Sequence, residues 1–254
     1  MIISNISEIP STDVSSYCWA GMRRFHNISF VTDFLCNLHN IPQSQKQNAR
    51  KQSEQIRYCL MQAREYHLAA SVVSLATKPL LLYYSAMSLA FAEILLKQDG
   101  NSSLDKARAE HNHHGLVLRV DRTSGNDQLI TATGAALRAV PLVHSTGRRL
   151  GTFELWHRTC REMPITGDII TDYLNGTTST HHNVIFTAND WKLDPLPSGG
   201  ISFLDCAKHL HGMTAILETY GVKSPIVRAK VTIKKKANSL NIAPVEESPK
   251  LRSN

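Results

Sequence analysis

The chain is expected to fold as a mainly α protein of the α+β class, a helical bundle with a small β insertion and a basic C-terminal strand. Three observations predict it. Ile56, Leu60, Ala63, His67, Ala70 and Val73 recur at three- and four-residue spacing, the mark of an amphipathic helix from about Lys51 to Leu75. The run KPLLLYYSAMSLAFAEILL, Lys78 to Leu96, is nearly all apolar. From Leu116 the texture shifts to short β-like runs separated by Gly125-Asn126-Asp127 and Gly134.

The elements follow in order. Residues 1–45 form an N-terminal helical segment in which Trp19, Phe25, Phe30, Phe34 and Leu38 predict one or two short helices packing inward. Gln43 to Glu54 is polar without an apolar stripe, so it is either a solvated start of the next helix or a connector. Thr77-Lys78-Pro79 breaks the first long helix. Pro79 suits the first turn of a second one, since its missing N–H has no intrahelical partner there. Asp99-Gly100-Asn101 closes that helix near Lys97, giving an antiparallel hairpin. Ser102-x-x-Asp105 caps a third short helix that stops at Gly115, so the hairpin and a His-Gly element span residues 46–116.

Residues 117–222 continue the same domain. Leu116 to Val120, Gln128 to Thr133 and Ala136 to Val143 read as strands; Thr152 to Arg161 and Asp168 to Leu174 read as helices; Asn183 to Thr187 suits a strand. Ser202 to Tyr220 reads as one helix ending at Gly221. In residues 223–254, Ile226 to Lys234 alternates apolar and cationic positions, as a half-buried strand does, and the polar tail from Ala237 is expected to be loose.

Composition narrows the function classes. The chain has 254 residues, 42% of them hydrophobic and 19% charged, enough for a sizeable core and against wholesale disorder. A formal charge of +7 favours anionic partners, nucleic acid first. Five scattered cysteines without a C-x-x-C pair argue against a disulfide framework or a structural zinc site, and for a cytoplasmic setting. The N-terminus lacks the basic and apolar regions of a secretory signal. Pro79 to Leu96 has nearly the length of a membrane span, but it carries Glu93 and lacks basic flanks, so a buried bundle helix is expected and no membrane partner. Glu93 is expected to pair with Arg64 or Lys97, and Tyr83 and Tyr84 to pack in the core with one hydroxyl satisfied.

The segment Gln62 to Leu96 carries Gln62-Ala63-x-x-Tyr66 and Lys78-Pro79-Leu80-Leu81-Leu82-Tyr83-Tyr84, and His114-Gly115-Leu116 follows. These motifs resemble the YaaC-like family of bacterial proteins over about residues 55–120, with a fainter echo at Phe153-Glu154-Leu155 and Pro164. The block is also similar to HEPN-type helical domains. That resemblance implies a HEPN-like bundle and a nucleic-acid-directed role. It extends to a metal-independent RNase effector of a toxin or anti-phage system, with its site assembled across a dimer.

Such chemistry needs a base near the 2′-hydroxyl and a cation on the phosphate. A neutral imidazole and a guanidinium fill those roles near pH 7. The candidates are His113 or His114 as base and Arg108 as phosphate clamp, with four or five residues between. Within one continuous helix, Arg108 stands about 140° from His113 and about 120° from His114, so convergence needs a helix break or a second subunit. The competing reading is a surface helix whose terminal histidines favour the dipole, or a His114 that pins Gly115. A metal on His111, His113 and His114 lacks further ligands, and no metal or cofactor is expected. Lys230, Lys234, Lys235 and Lys236 are candidate nucleic-acid contacts, with a solvated strand edge as the alternative. The rival function is a non-catalytic module that forms a homodimer or docks a partner subunit. A third is a small-molecule or nucleotide sensor using the cleft beside the histidines.

Overall fold

The computed structural model describes residues 3–9, 13–97, 112–121, 129–159, 162–173, 176–188, 196–225, 229–234 and 239–244. The fold is mainly helical, with antiparallel strands. The third helix expected from Ser102 lies outside the described residues. By compactness the chain divides into two discontinuous units, Met1–Leu116 with Leu142–Pro195 and Val117–Pro141 with Leu196–Asn254.

The first unit is built on a helical hairpin. After strand β1 (Ile3–Ile9), helix α1 (Val14–Met22) starts at Asp13, whose carboxylate accepts the Ser16 amide at 3.0 Å. A 3-10 turn (Arg23–His26) leads to α2 (Ile28–Leu38), capped by Asn27. Another 3-10 turn (Gln43–Gln45) opens α3 (Lys46–Val72), and α4 (Lys78–Leu96) returns along it with Pro79 in its first turn. Val31 and Leu35 of α2, Ile56 and Leu60 of α3 and Leu95 of α4 make the core. Of the N-terminal residues expected to pack inward, Phe25 lies partly buried against this core and Trp19 is half-buried. Phe30, Phe34 and Leu38 are exposed, because α2 turns Val31 and Leu35 inward instead. Nor is Gln43 to Glu54 a solvated extension: Ala49, Gln52 and Ser53 are buried. Gln52 donates from Nε2 to the Leu95 carbonyl, and Ser53 Oγ lies 3.1 Å from Thr32 Oγ1, so these polar groups enter the core hydrogen-bonded.

By length and composition α4 could cross a membrane. Its flank nevertheless packs along α3, with Ser85 Oγ donating to the Ala63 carbonyl at 2.8 Å and Ser88 Oγ to Gln62 Oε1 at 3.3 Å. Ser85, Ser88, Ala90 and Ala92 of α4 are buried.

Strands β4 (Glu162–Tyr173) and β5 (Gly176–Ala188) form a long hairpin, and β1 pairs antiparallel with β5. Of the helix expected from Asp168 to Leu174, residues Asp168–Tyr173 are therefore strand, and Leu174 lies outside the described residues. Ile169, Ile170 and Thr171 are β-branched and pair with Thr180, Ser179 and Thr178.

In the second unit, β2 (Leu116–Val120), β3 (Leu137–Pro141) and β6 (Ile201–Ser202) form a sheet in the order β2-β3-β6. Of the strand expected at Gln128 to Thr133, Gln128 lies outside the described residues and the rest belongs to helix α5 (Leu129–Ala136), which packs on α7 (Phe203–Lys208) with Gly134 facing Leu204. Here packing overrides the β-branched residues' preference. The single helix expected from Ser202 to Tyr220 is divided by a 3-10 turn (His211–Met213) containing Gly212. It continues as α8 (Thr214–Thr219) and stops at Gly221 with φ +71°. Counting in chain order, α6 is Thr152–Thr159 of the first unit. Strand β7 (Ala229–Lys234) pairs with β8 (Ser239–Pro244), so the segment after Ala237 is not wholly loose.

A capping box closes the start of α7: Ser202 Oγ accepts the Asp205 amide at 3.0 Å and donates to the Asp205 carboxylate at 2.7 Å. The bond from Ser202 holds the Asp205 carboxyl below the usual carboxylate range. Ser202→Ala should cost roughly 0.5–2 kcal/mol in urea unfolding at pH 7. Because the folded pKa of Asp205 is depressed, this contribution is present above the unfolded value. It fades as pH falls through the folded one, so the gap between wild type and Ser202→Ala should narrow in acid to what the bond from the Asp205 amide contributes.

Candidate functional site

The site begins where the chain segment around His113 and His114 crosses the start of α6. The His113 carbonyl accepts the Thr152 amide at 2.8 Å, and the His114 carbonyl accepts the Phe153 amide at 3.0 Å. Two otherwise unpaired N–H groups of the first helical turn are thereby satisfied. The crossing is close because glycine occupies both chains. Gly115 has φ +93° and Gly151 φ +102°, and a Cβ on Gly151 would collide with the backbone of Gly115.

The side chains then face α4. The Tyr83 hydroxyl lies 2.7 Å from His114 Nδ1, and the two rings meet edge to face at 5.6 Å. Burial, then the neighbouring Tyr84, pushes the Tyr83 phenol up, so it keeps its proton at neutral pH. With that hydroxyl as donor, neutral His114 carries its own proton on Nε2. Tyr83 and Tyr84 are not core residues as expected. They are 40% and 41% exposed, while one hydroxyl is satisfied.

A cleft of about 250 Å³ lies beside this pair. Tyr66, Tyr84, Met87 and Phe91 supply its apolar walls; Gln62, Ser88, Asn112, His113, His114 and Thr152 supply polar groups. Tyr66 and Tyr84 touch at 5.5 Å between ring centroids. No carboxylate, ammonium or guanidinium is among these lining residues. The cleft therefore offers ring faces, neutral amides and imidazole. That suits a flat, uncharged heteroaromatic group better than an amine, a carboxylate or a bare phosphate.

Below the cleft, Glu93 ties α4 to α6. Lys97 Nζ donates to Glu93 Oε1 and to the Thr159 carbonyl, both at 2.8 Å, and Trp156 Nε1 donates to Glu93 Oε2 at 2.7 Å. The expected partner Lys97 is thus found, and Trp156 is added. Glu93 is engaged in holding α6 and takes no part in the cleft.

Of the candidate residues, His113 and His114 stand at the cleft, whereas Arg108 and His111 lie outside the described residues. Among the described residues no group of three or more His, Cys, Asp or Glu is placed to hold a metal. Lys230 and Lys234 sit two positions either side of Thr232 on β7, opposite Ala243 and Ser239 of β8; Lys235 and Lys236 lie outside the described residues. Gln62 and Tyr66 were visible in sequence as part of one motif, and their four-residue spacing puts them on one helix face. Asn112 and Thr152 carry no such signal, since only the glycine crossing brings them together.

Comparison with protein families matches residues 23–133 to the family described as YaaC-like Protein. This segment is YaaC-like. The match extends beyond the 55–120 block in which the motifs concentrate, and it contains α2, the α3–α4 hairpin and the His-Gly element. Phe153, Leu155 and Pro164 fall outside it. No curated protein and no solved structure matched the chain. Within the YaaC-like segment lie most of the cleft's lining residues, Thr152 being the exception.

Two measurements test the geometry. Tyr83→Phe should shift the His114 tautomer balance in nitrogen NMR and cost roughly 0.5–1.5 kcal/mol of stability. Gly151→Ala should cost at least about 2 kcal/mol, from the positive φ and the clash. Gly147→Ala, at φ +80° with open space around it, should cost only about 1–2 kcal/mol.

Proposed function

We propose that the protein is a nucleic-acid-directed protein of the YaaC-like and HEPN-like type, in which the cleft receives an unpaired RNA base. The observation that carries this reading is the combination of aromatic faces, neutral amides and an imidazole in a cleft whose described lining carries no charged group. A base can stack on the half-exposed ring of Tyr84, while the Gln62 and Asn112 amides meet its edge. The volume lies below the roughly 300–1,000 Å³ of pockets for drug-sized ligands, which is the scale of one ring system.

In this reading His113 moves the proton of the 2′-hydroxyl, and Tyr83 holds His114 as a neighbouring donor. The phosphate charge falls to Arg108, the cation that the resemblance supplies. The reaction is metal-independent RNA cleavage in a cytoplasmic toxin or anti-phage role. RNA cleavage by purified protein should persist in EDTA and fall at least about 100-fold in His113→Ala. Arg108→Ala should lower kcat, and Tyr84→Ala should chiefly raise KM. Cleavage abolished by EDTA, or unchanged in His113→Ala, would contradict the assignment.

A second reading rests on another observation. The far end of the hairpin exposes Leu68, Val72, Leu75 and Leu80, the middle two more than 80%. Neighbouring apolar side chains left in water suit a homodimer or a docked subunit. RNA binding without cleavage, with self-association lost in Val72→Lys, would favour that module.

A further inference from the structure

Away from the cleft, the 3-10 turn Arg23–His26 packs against α3, and the charges of Arg23 on the turn and of Arg57 and Arg64 on α3 reach His26. Arg57 and Arg64 are seven residues apart, two turns along one face of α3 and about 10 Å of rise. Arg50, Arg138 and Arg158 have acidic partners, at 3.4, 3.8 and 2.8 Å. Among the described residues, no such partner is found for Arg23, Arg57 or Arg64. Arg57 is half-buried, and its Nε is buried with no hydrogen-bond partner. An unsatisfied guanidinium N–H away from water is costly. His26 registers the same excess of positive charge: burial first, then Arg57, Arg64 and Arg23, push its imidazole below the ordinary histidine value.

We propose that Arg23, Arg57 and Arg64 form a binding site for phosphate oxygens. The guanidinium fork matches the phosphate geometry, and among the described residues no carboxylate competes for these three arginines. The neighbouring rings identify the phosphate's source. Phe25 contacts Phe30 and Phe34 at 6.2 and 6.1 Å between centroids, and Phe30 and Phe34 remain 42% and 37% exposed. Cations beside exposed aromatic faces are the chemistry that holds single-stranded nucleic acid, backbone on the charges and bases on the rings. Arg24, whose guanidinium lies 5.1 Å from the centre of Phe25, extends the charge over these rings. The site does not need the cleft reading: Gln62 stands about 140° and 160° around α3 from Arg57 and Arg64.

The test uses the full chain. His26 is titrated by NMR with and without tripolyphosphate, and binding of a labelled single-stranded RNA is measured across salt concentrations. Tripolyphosphate should move the His26 titration up toward the ordinary value, because the added anion offsets the arginines. Arg57→Gln with Arg64→Gln should weaken RNA binding at least about tenfold and reduce the salt slope by about 1 per lost phosphate contact. RNA that competes with tripolyphosphate identifies a strand as the source. A His26 response without competition keeps the phosphate site and identifies a small phosphate ligand. A His26 titration unmoved by millimolar tripolyphosphate, with unchanged RNA binding in the double variant, overturns the proposal. The wild-type titration needs no variant to fold, and RNA cleavage lost in His113→Ala remains a separate result.

Discussion

The arrangement of the candidate site depends on one backbone crossing, Gly115 over Gly151. Only two chains without Cβ atoms can approach that closely, and both glycines use backbone angles that other residues rarely adopt. Because they do, the carbonyls of His113 and His114 reach the first amides of α6, and the His114 ring reaches Tyr83. The histidines are thus placed by the backbone before any side-chain contact acts.

The hairpin supplies the wall against which that crossing works. Its core is apolar at Leu35, Ile56, Ile94 and Leu95, yet Gln52, Ser85 and Ser88 lie inside it. Each finds a partner on the facing helix, so these groups add directional bonds to a packing force that has no direction of its own. Glu93, Lys97 and Trp156 extend the same logic to α6. Where α3 leaves α4 uncovered, Tyr83 reaches His114 and Leu80 and Leu82 are exposed.

The hairpin was legible in sequence because helical periodicity, a proline start and a long apolar run agree over about fifty residues. The motif residues Gln62, Tyr66 and Tyr83 were legible for the same reason, being fixed by local spacing, whereas His114 is placed by the distant Gly151. Elements set by distant pairing were not. Ile169, Ile170 and Thr171 are strand residues through their partners on β5, and Leu129–Ala136 is helical through packing on α7. The aromatic residues of α2 looked like core, but periodicity alone does not say which stripe turns inward. Arg57 and Arg64 drew no attention as a pair, since the partner that makes them a cluster, Arg23, is more than thirty residues upstream.

Two chemically different surfaces therefore sit on the YaaC-like segment, a neutral aromatic cleft and a patch of arginines. The measurement that most directly tests the central claim is a chemical-shift map of the full chain against a short single-stranded RNA held uncleaved by a 2′-deoxy substitution. The account predicts that the imidazole signals of His113 and His114 and the ring signals of Tyr66 and Tyr84 move together and saturate with one affinity. Saturable binding that leaves all four unmoved would contradict it.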